Sequence, residues 1–166
     1  DAGQTWTQRK LRDEDAHFNR ITRGPSGTLY LAGETGTMLR STDDGASWTP
    51  LRAPYDGSVY GIMALDRRTL LAHGLEGKVF RSTDDGASWQ PVATPAEVLL
   101  AAGLQLRSNF LLLAGQARTL LVSRDYGKTF AASERAITTG IAELLELADG
   151  RILALGEAGV TVLPVP

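Results

Sequence analysis

The chain of 166 residues contains no cysteine, which removes disulfides, thiolate metal ligands and cysteine nucleophiles together. That absence suits the cytoplasm, and equally an exported protein that needs no bridge. Histidine is almost as scarce. His17 and His73 stand far apart and have no cysteine beside them, so no metal site is expected. No apolar stretch approaches the ~18 residues that cross a bilayer, and the longest, "FLLLAG" at 110–115, has the length of a strand. Neither sign of charge dominates: 17 basic and 19 acidic residues leave a net charge of −2. The arginines are scattered, so no field gathers nucleic acid or an anionic membrane surface. An initiating methionine and a leader are also missing, and the chain is read as a processed or excised piece.

What the chain has is repetition. The octapeptide "STDDGASW" occurs at 41–48 and again at 82–89; "SRDYGKTF" at 123–130 is a third copy, and "DAGQTW" at 1–6 ends a fourth. Ser41, Ser82 and Ser123 recur every 41 residues, and so do Gly33, Gly74, Gly115 and Gly156. Two independent landmarks locked to one period define a repeat architecture.

Superposing the copies gives a unit of four short strands. The first is mixed in polarity ("HFNRIT", "SVYGIM", "LLAAGL", "GIAELL"). A turn follows, in which Asp149-Gly150 signals a two-residue hairpin and Gly27 and Asn109 share the glycine's column. Arg68 occupies that column too and suits a left-handed backbone less well. The second strand is a continuous apolar run ("LYLAG", "LLAHG", "LLLAG", "ILALG"), as a strand covered on both faces requires. The third leads into the box, and the fourth starts at the box-final aromatic. Pro50 and Pro91 in that last element mark it as an edge strand. The expected fold is all-β, a propeller of about four four-stranded antiparallel blades. Residues 1–12 supply the outer strand of a preceding blade, and repeats cover 13–53, 54–94, 95–135 and 136–166.

The box has a sufficient structural explanation. Asp43, Asp84 and Asp125 can accept backbone N–H bonds in the following turn, and Asp1 takes the same place in the first copy. Gly3, Gly45, Gly86 and Gly127 adopt angles closed to other residues. Ser41, Ser82 and Ser123 tie the two sides of the corner, and Trp6, Trp48, Trp89 and Phe130 are expected to bury large apolar areas. No nucleophile–base pair lies in this set, so no residue is assigned as catalytic.

These boxes resemble those of the Asp-box, or bacterial neuraminidase repeat, superfamily of β-propellers. Within it, "LYLAGETGTMLRSTDDGASW" at 29–48 looks like a blade of the photosystem II assembly and stability factor family. The resemblance implies a seven-bladed (or eight-bladed) propeller of which this chain is the C-terminal part. It implies a non-enzymatic, exported, periplasmic protein without a cofactor that docks a partner protein, such as a membrane-protein complex, without inserting into the membrane itself. The chain departs from the family in its length and in Phe130, which replaces tryptophan. A part-propeller leaves blade edges open to self-association. The strand from Trp6 is expected to complete the last blade, which has no fourth strand of its own.

Function would be written where polar residues interrupt the uniform repeat. In the first strands and the loops before them these are His17, Arg20 and Arg23, then Tyr55 and Tyr60, then Glu143 and Glu146, whereas Gly61 and Ala102 fill the Arg20 column elsewhere. They are the candidate partner-binding residues. Arg40 and Arg81, just before the boxes, are expected to form salt bridges or cover aromatics. A sialidase-like glycoside hydrolase is the alternative, its site shared with blades outside this chain. "FNRIT" at 18–22 is the nearest approach to that family's first arginine motif, but Phe18 and Arg20 are not adjacent and no proline follows.

Overall fold

A computed structural model describes residues 1–11, 16–134 and 137–163. The acidic residues of 12–15, the repeat boundary at 135/136 and the terminal 164–166 lie outside the described residues. The fold is a four-blade β-propeller. Blade 1 comprises β1 (Phe18–Arg23), β2 (Leu29–Gly33), β3 (Met38–Ser41) and β4 (Thr49–Pro50). Blade 2 comprises β5 (Val59–Ala64), β6 (Leu70–Gly74), β7 (Val79–Ser82) and β8 (Gln90–Val92). Blade 3 comprises β9 (Leu100–Gln105), β10 (Leu111–Gly115), β11 (Leu120–Ser123) and β12 (Ala131–Ala132). Blade 4 has three strands, β13 (Ile141–Glu146), β14 (Ile152–Gly156) and β15 (Gly159–Leu163). Every pairing is antiparallel between sequence neighbours, with the first strand of each blade innermost and β1, β5, β9 and β13 following one another.

The period-41 glycines are explained by a main-chain crossing. The chain entering each first strand passes so close to the end of the second that a Cβ would sit 2.6 Å from the His17 carbonyl oxygen at Gly33. The same distance is 2.3 Å at Gly74, 1.8 Å at Gly115 and 2.1 Å at Gly156. The next residue's N–H then donates to that carbonyl: Glu34 to His17 O (3.0 Å), Gln116 to Leu99 O (3.0 Å) and Glu157 to Gly140 O (3.2 Å). Only glycine leaves room for it.

The box is a closed hydrogen-bond knot. In blade 1 the Ser41 hydroxyl donates to Asp43 Oδ1 (2.7 Å) and accepts from the Gly45 N–H (2.8 Å), while Asp43 accepts the Ser47 N–H (2.8 Å) and hydroxyl (2.5 Å). Blades 2 and 3 repeat it through Ser82, Asp84, Gly86 and Ser88 and through Ser123, Asp125, Gly127 and Thr129. Gly45, Gly86 and Gly127 all take positive φ (85°, 84° and 77°). The first box forms too, with the Gly3 and Thr5 N–H groups on Asp1, but it stands on no sheet and Trp6 is 89% exposed. Its expected burial is therefore corrected: a box aromatic is covered only when its own blade stands beneath it. Phe130 is buried, while Trp48 and Trp89 are half-buried.

Two turn expectations are refined. The Leu147 N–H donates to Arg151 O (2.8 Å), so the Asp149-Gly150 loop holds three residues rather than two, with Gly150 left-handed (φ 87°). Gly27 and Asn109 take the same conformation, but Arg68 does not. Asp66 replaces it there, its Oδ1 accepting the Arg68 and Thr69 N–H groups at 2.8 and 2.7 Å.

Three apolar clusters join the four blades. Tyr30, Met38, Ile62 and Leu70 fill the first interface, Met63, Leu71, Leu100, Leu113 and Phe130 the second, and Leu112, Val122, Ile141, Leu144 and Ile152 the third. Among the described residues no cluster joins blade 4 to blade 1. Among the described residues the strand from Trp6 does not complete the last blade: residues 5–11 form no strand, and β15 pairs with β14 alone.

Leu113 is fully buried in the second cluster, so Leu113→Ala is expected to cost about 2–5 kcal/mol in urea denaturation. The boxes set an acid limit. Bonds from the Ser47 hydroxyl and N–H, then from Ser41, hold Asp43 at about 2, and Ser88 and Ser82 hold Asp84 at about 2. At Asp125 burial pushes upward, but Thr129 and Ser123 outweigh it and the value is again about 2. A carboxylate lowered on folding stabilises above its unfolded value of ~3.9 and loses that contribution as pH falls through the folded value. Thermal stability should thus be level above about pH 5 and fall between about pH 4 and 2. A melting temperature unchanged across that window would refute the assignment.

Candidate partner-docking sites on the channel and the rim

The innermost strands carry one column around the channel, Arg20, Gly61, Ala102 and Glu143, spaced by the repeat. Small residues at two of its positions leave room for the long side chains at the other two. Arg20 Nη2 reaches Glu143 Oε2 at 2.5 Å and links β1 to β13, the two strands that no apolar cluster joins. Behind this pair lies His73, buried on β6. Its Nδ1 is 2.9 Å from the Leu100 carbonyl oxygen and so donates to it, which leaves Nε2 as the unprotonated nitrogen. Burial pulls the imidazole down to about 4, with the Arg20 charge adding to the effect and Leu100 and Glu143 opposing it. His73 is neutral at pH 7, and Nε2 has no hydrogen-bond partner among the described residues. The ring occupies the space above two glycines, where a Cβ on Gly61 or Gly103 would stand 2.4 or 2.8 Å from Nε2.

The other candidates are dispersed. His17 Nδ1 lies 2.9 Å from Glu34 Oε2, and bonds from His17 hold the Glu34 carboxyl below its usual range. Arg23 pairs with Asp44 and donates to Gly27 O (3.1 Å) at the turn end of blade 1. Tyr55 is a packing residue: its ring stacks on Phe80 at 5.3 Å, Lys78 lies 5.2 Å above it, and its hydroxyl donates to Ser58 O. Glu146 accepts from the Arg107 N–H (2.9 Å) and Nε (3.1 Å), tying blade 4 to the first turn of blade 3. Tyr60 on β5 is half-buried, and its hydroxyl has no bonded partner among the described residues. The structure therefore brings together Arg20 and Glu143 of the seven and separates the rest.

Further polar contacts join neighbouring blades at the rim. Arg40 Nη1 meets Asp85 Oδ2 at 2.5 Å, and the Tyr30 hydroxyl donates to Asp85 Oδ1 at 2.5 Å, so a box residue of blade 2 is held by two residues of blade 1. Burial, then this bond, pushes the Tyr30 phenol up. Arg81 Nε donates to Tyr126 O (3.1 Å) in the same relation between blades 2 and 3. Arg40 thus forms the expected salt bridge, and Arg81 bonds main chain instead.

A groove of about 460 Å³ opens on the rim between blades 1 and 2, lined by Arg52, Pro54, Phe80, Ala87, Trp89 and Pro91 among others. It offers apolar and aromatic walls and an exposed guanidinium with no ion-pair partner among the described residues, while the Trp89 indole N–H is buried and has no acceptor among the described residues. Arg52 and Trp89 become neighbours of one groove only through the packing of two blades. The corresponding positions between blades 2 and 3 are Ala93 and Phe130, and Phe130 is buried there. No group of three or more metal-binding side chains occurs among the described residues, and no helix is long and apolar enough to cross a membrane.

Gly61→Ala must displace the His73 ring and should cost about 1–3 kcal/mol in denaturant unfolding. Unchanged stability would mean that the ring is not seated between the glycines.

Comparison with known proteins adds sequence kinship to this geometry. No curated protein matches the chain. Among solved structures, YCF48 bound to a D1 peptide is 22% identical, with 99% of this chain aligned on 55% of that one at a TM-score of 0.73. YCF48 from Cyanidioschyzon merolae is 14% identical, with 98% aligned on 57% at 0.69. An ancestral GH74 enzyme is 12% identical, with 87% aligned on 22% at 0.71. At these identities the three share the fold with this chain, which spans just over half the length of the two YCF48 structures. Residues 1–103, with two complete boxes and the end of a third, match the model of the photosynthesis system II assembly factor YCF48, and the chain belongs to that family.

Proposed function

We propose that the chain is a non-catalytic scaffold that docks a partner protein during assembly of a membrane-protein complex. The observation that carries this reading is the rim groove. Its volume falls within the roughly 300–1,000 Å³ usual for ligand sites. Aromatic and proline walls beside a cation suit a short peptide that carries an apolar side chain and a carboxylate. Pro91 removes a donor from the outer edge of blade 2, so the peptide docks by its side chains rather than as an added strand. A YCF48 protein of this fold is described with a D1 peptide bound, which supports a peptide as the partner's contact. The channel carboxylates favour the same reading. Glu143 and Glu146 are each held by an arginine rather than set against each other as an acid–base pair. The proposal extends to an exported, periplasmic location, which rests on the family resemblance alone.

Fluorescence anisotropy with a labelled D1 peptide tests it. Binding is expected, and Arg52→Glu or Ala87→Glu, both at exposed positions, should weaken it at least about tenfold. Arg20→Ala with Tyr60→Ala should have a smaller effect. Loss through the channel variant with the groove variants unaffected would move the site to the channel, and no binding to any D1 segment would remove the reading.

A further inference from the structure

Four Asp-Gly sequences occur in the chain, at 44–45, 56–57, 85–86 and 149–150. An aspartate before a glycine is prone to react with its own main chain, because no side chain on the glycine shields its nitrogen. Two groups must be free for that reaction, the aspartate carboxyl and the glycine N–H. The fold ties up both of them in three of the four pairs.

In the box of blade 1 the Gly45 N–H donates to Ser41 Oγ at 2.8 Å, and Asp44 pairs with Arg23. In blade 2 the Gly86 N–H donates to Ser82 Oγ at 2.9 Å, while Arg40 and the Tyr30 hydroxyl hold Asp85. At the first turn of blade 4 the Gly150 N–H donates to Leu147 O at 3.0 Å, and Asp149 accepts the Arg151 N–H (3.1 Å) and Nε (2.8 Å). The pair at 56–57 differs on both counts. It lies in the loop between β4 and β5, where Asp56 is exposed and has no ion pair or hydrogen bond among the described residues. The Gly57 N–H likewise has no acceptor among them. Packing demands the unshielded residue here, since a Cβ on Gly57 would stand 2.3 Å from the Tyr55 ring.

We infer that Asp56–Gly57 is a site of spontaneous isoaspartate formation, and that the fold shields the other three Asp-Gly pairs from the same reaction. The Gly57 nitrogen gives up its proton and bonds to Cγ of Asp56. A C–O bond of the carboxyl breaks and that oxygen leaves as water, which closes a five-membered succinimide. Water then adds to the ring carbonyl that was the Asp56 main-chain carbonyl, and its bond to nitrogen breaks. The chain now runs through the former side chain, one methylene longer, and the old main-chain carbonyl is left as a carboxylate. One water leaves and one enters, so the mass is unchanged and no other reactant is needed.

The added methylene falls at the junction of blades 1 and 2. The Gly36 N–H of blade 1 donates to Gly57 O at 2.9 Å, and the Tyr55 hydroxyl donates to Ser58 O. The Tyr55 ring stacks on Phe80 of blade 2, and Phe80 and Pro54 stand in the wall of the rim groove. Lengthening the chain between Tyr55 and Ser58 takes these contacts out of register and loosens the junction.

Peptide mapping tests the site. The chain is held for weeks at neutral pH, one sample folded and one in guanidinium chloride, and then cut with trypsin. Cleavage separates the four pairs into peptides 41–52, 53–67, 82–107 and 136–151. Isoaspartate, read by electron-transfer fragmentation, is expected in all four from the unfolded sample and in 53–67 alone from the folded one. Asp56→Glu, which would have to close a larger ring, should abolish it with the fold kept. Asp56→Asn should raise the yield severalfold, with the mass shift of deamidation. The isoaspartyl fraction, separated in the folded state, should melt below fresh protein. Folded-state conversion of another pair as fast as that of 53–67 overturns the inference, and so does a folded 53–67 that stays intact while the unfolded chain converts. An isoaspartyl fraction that melts like fresh protein overturns the link to the junction.

Discussion

A sheet of four short strands has two apolar faces and can cover neither of them by itself. Everything else in this fold answers that constraint. All five residues of β6 and of β10 are buried in blades 2 and 3, which have a neighbour on both sides, and four of the five in β2 of blade 1 are buried as well. β14, in a blade with one neighbour, is buried at Ile152 and Ala154 and exposed at Leu155 and Gly156. The apolar interfaces supply the bulk of the stabilisation, at roughly 25 cal/mol for each Å² removed from water. Polar contacts hold the register between blades: Arg40 on Asp85, Arg81 on the Tyr126 carbonyl, Arg107 on Glu146.

Much of this was legible because it is spelled locally. A serine, an aspartate and a glycine within five residues are enough to draw the knot of the box, and the glycines at 33, 74, 115 and 156, one in each blade, give the number of blades. The Gly33, Gly74, Gly115 and Gly156 series was visible as a period but not as a cause, since its cause is a carbonyl sixteen residues upstream. Arg68 looked anomalous because the fold solves that turn with the Asp66 side chain rather than with a left-handed residue. Trp6 was misjudged for a related reason: a box aromatic is covered by a sheet, and spelling the box does not supply the sheet.

The candidate site was less legible, and the reason is geometric. Arg20 and Glu143 could be picked out as polar interruptions of one column, and they do meet. The same logic also selected Tyr55, whose ring is spent on stacking with Phe80. The rim groove was invisible to column-by-column reading, because Arg52 belongs to the exit of one blade and Trp89 to the corner of the next. Surfaces that arise between units cannot be read from within a unit.

The crossing at the glycine column carries a lesson about ancestry. Its two partners are a carbonyl and an N–H, atoms that every residue brings, and the carbonyl comes from histidine, serine, leucine and glycine in turn at 17, 58, 99 and 140. One glycine and any residue at the far side suffice. A duplicated gene segment of 41 codons would therefore inherit a working joint at birth, with no compensating change needed in its neighbours. Lengthening by whole multiples of the unit is the cheap direction for such a chain to evolve, and the box, which reads "STDDGASW" twice while the strands before it differ, marks the part of the unit that the fold holds constant.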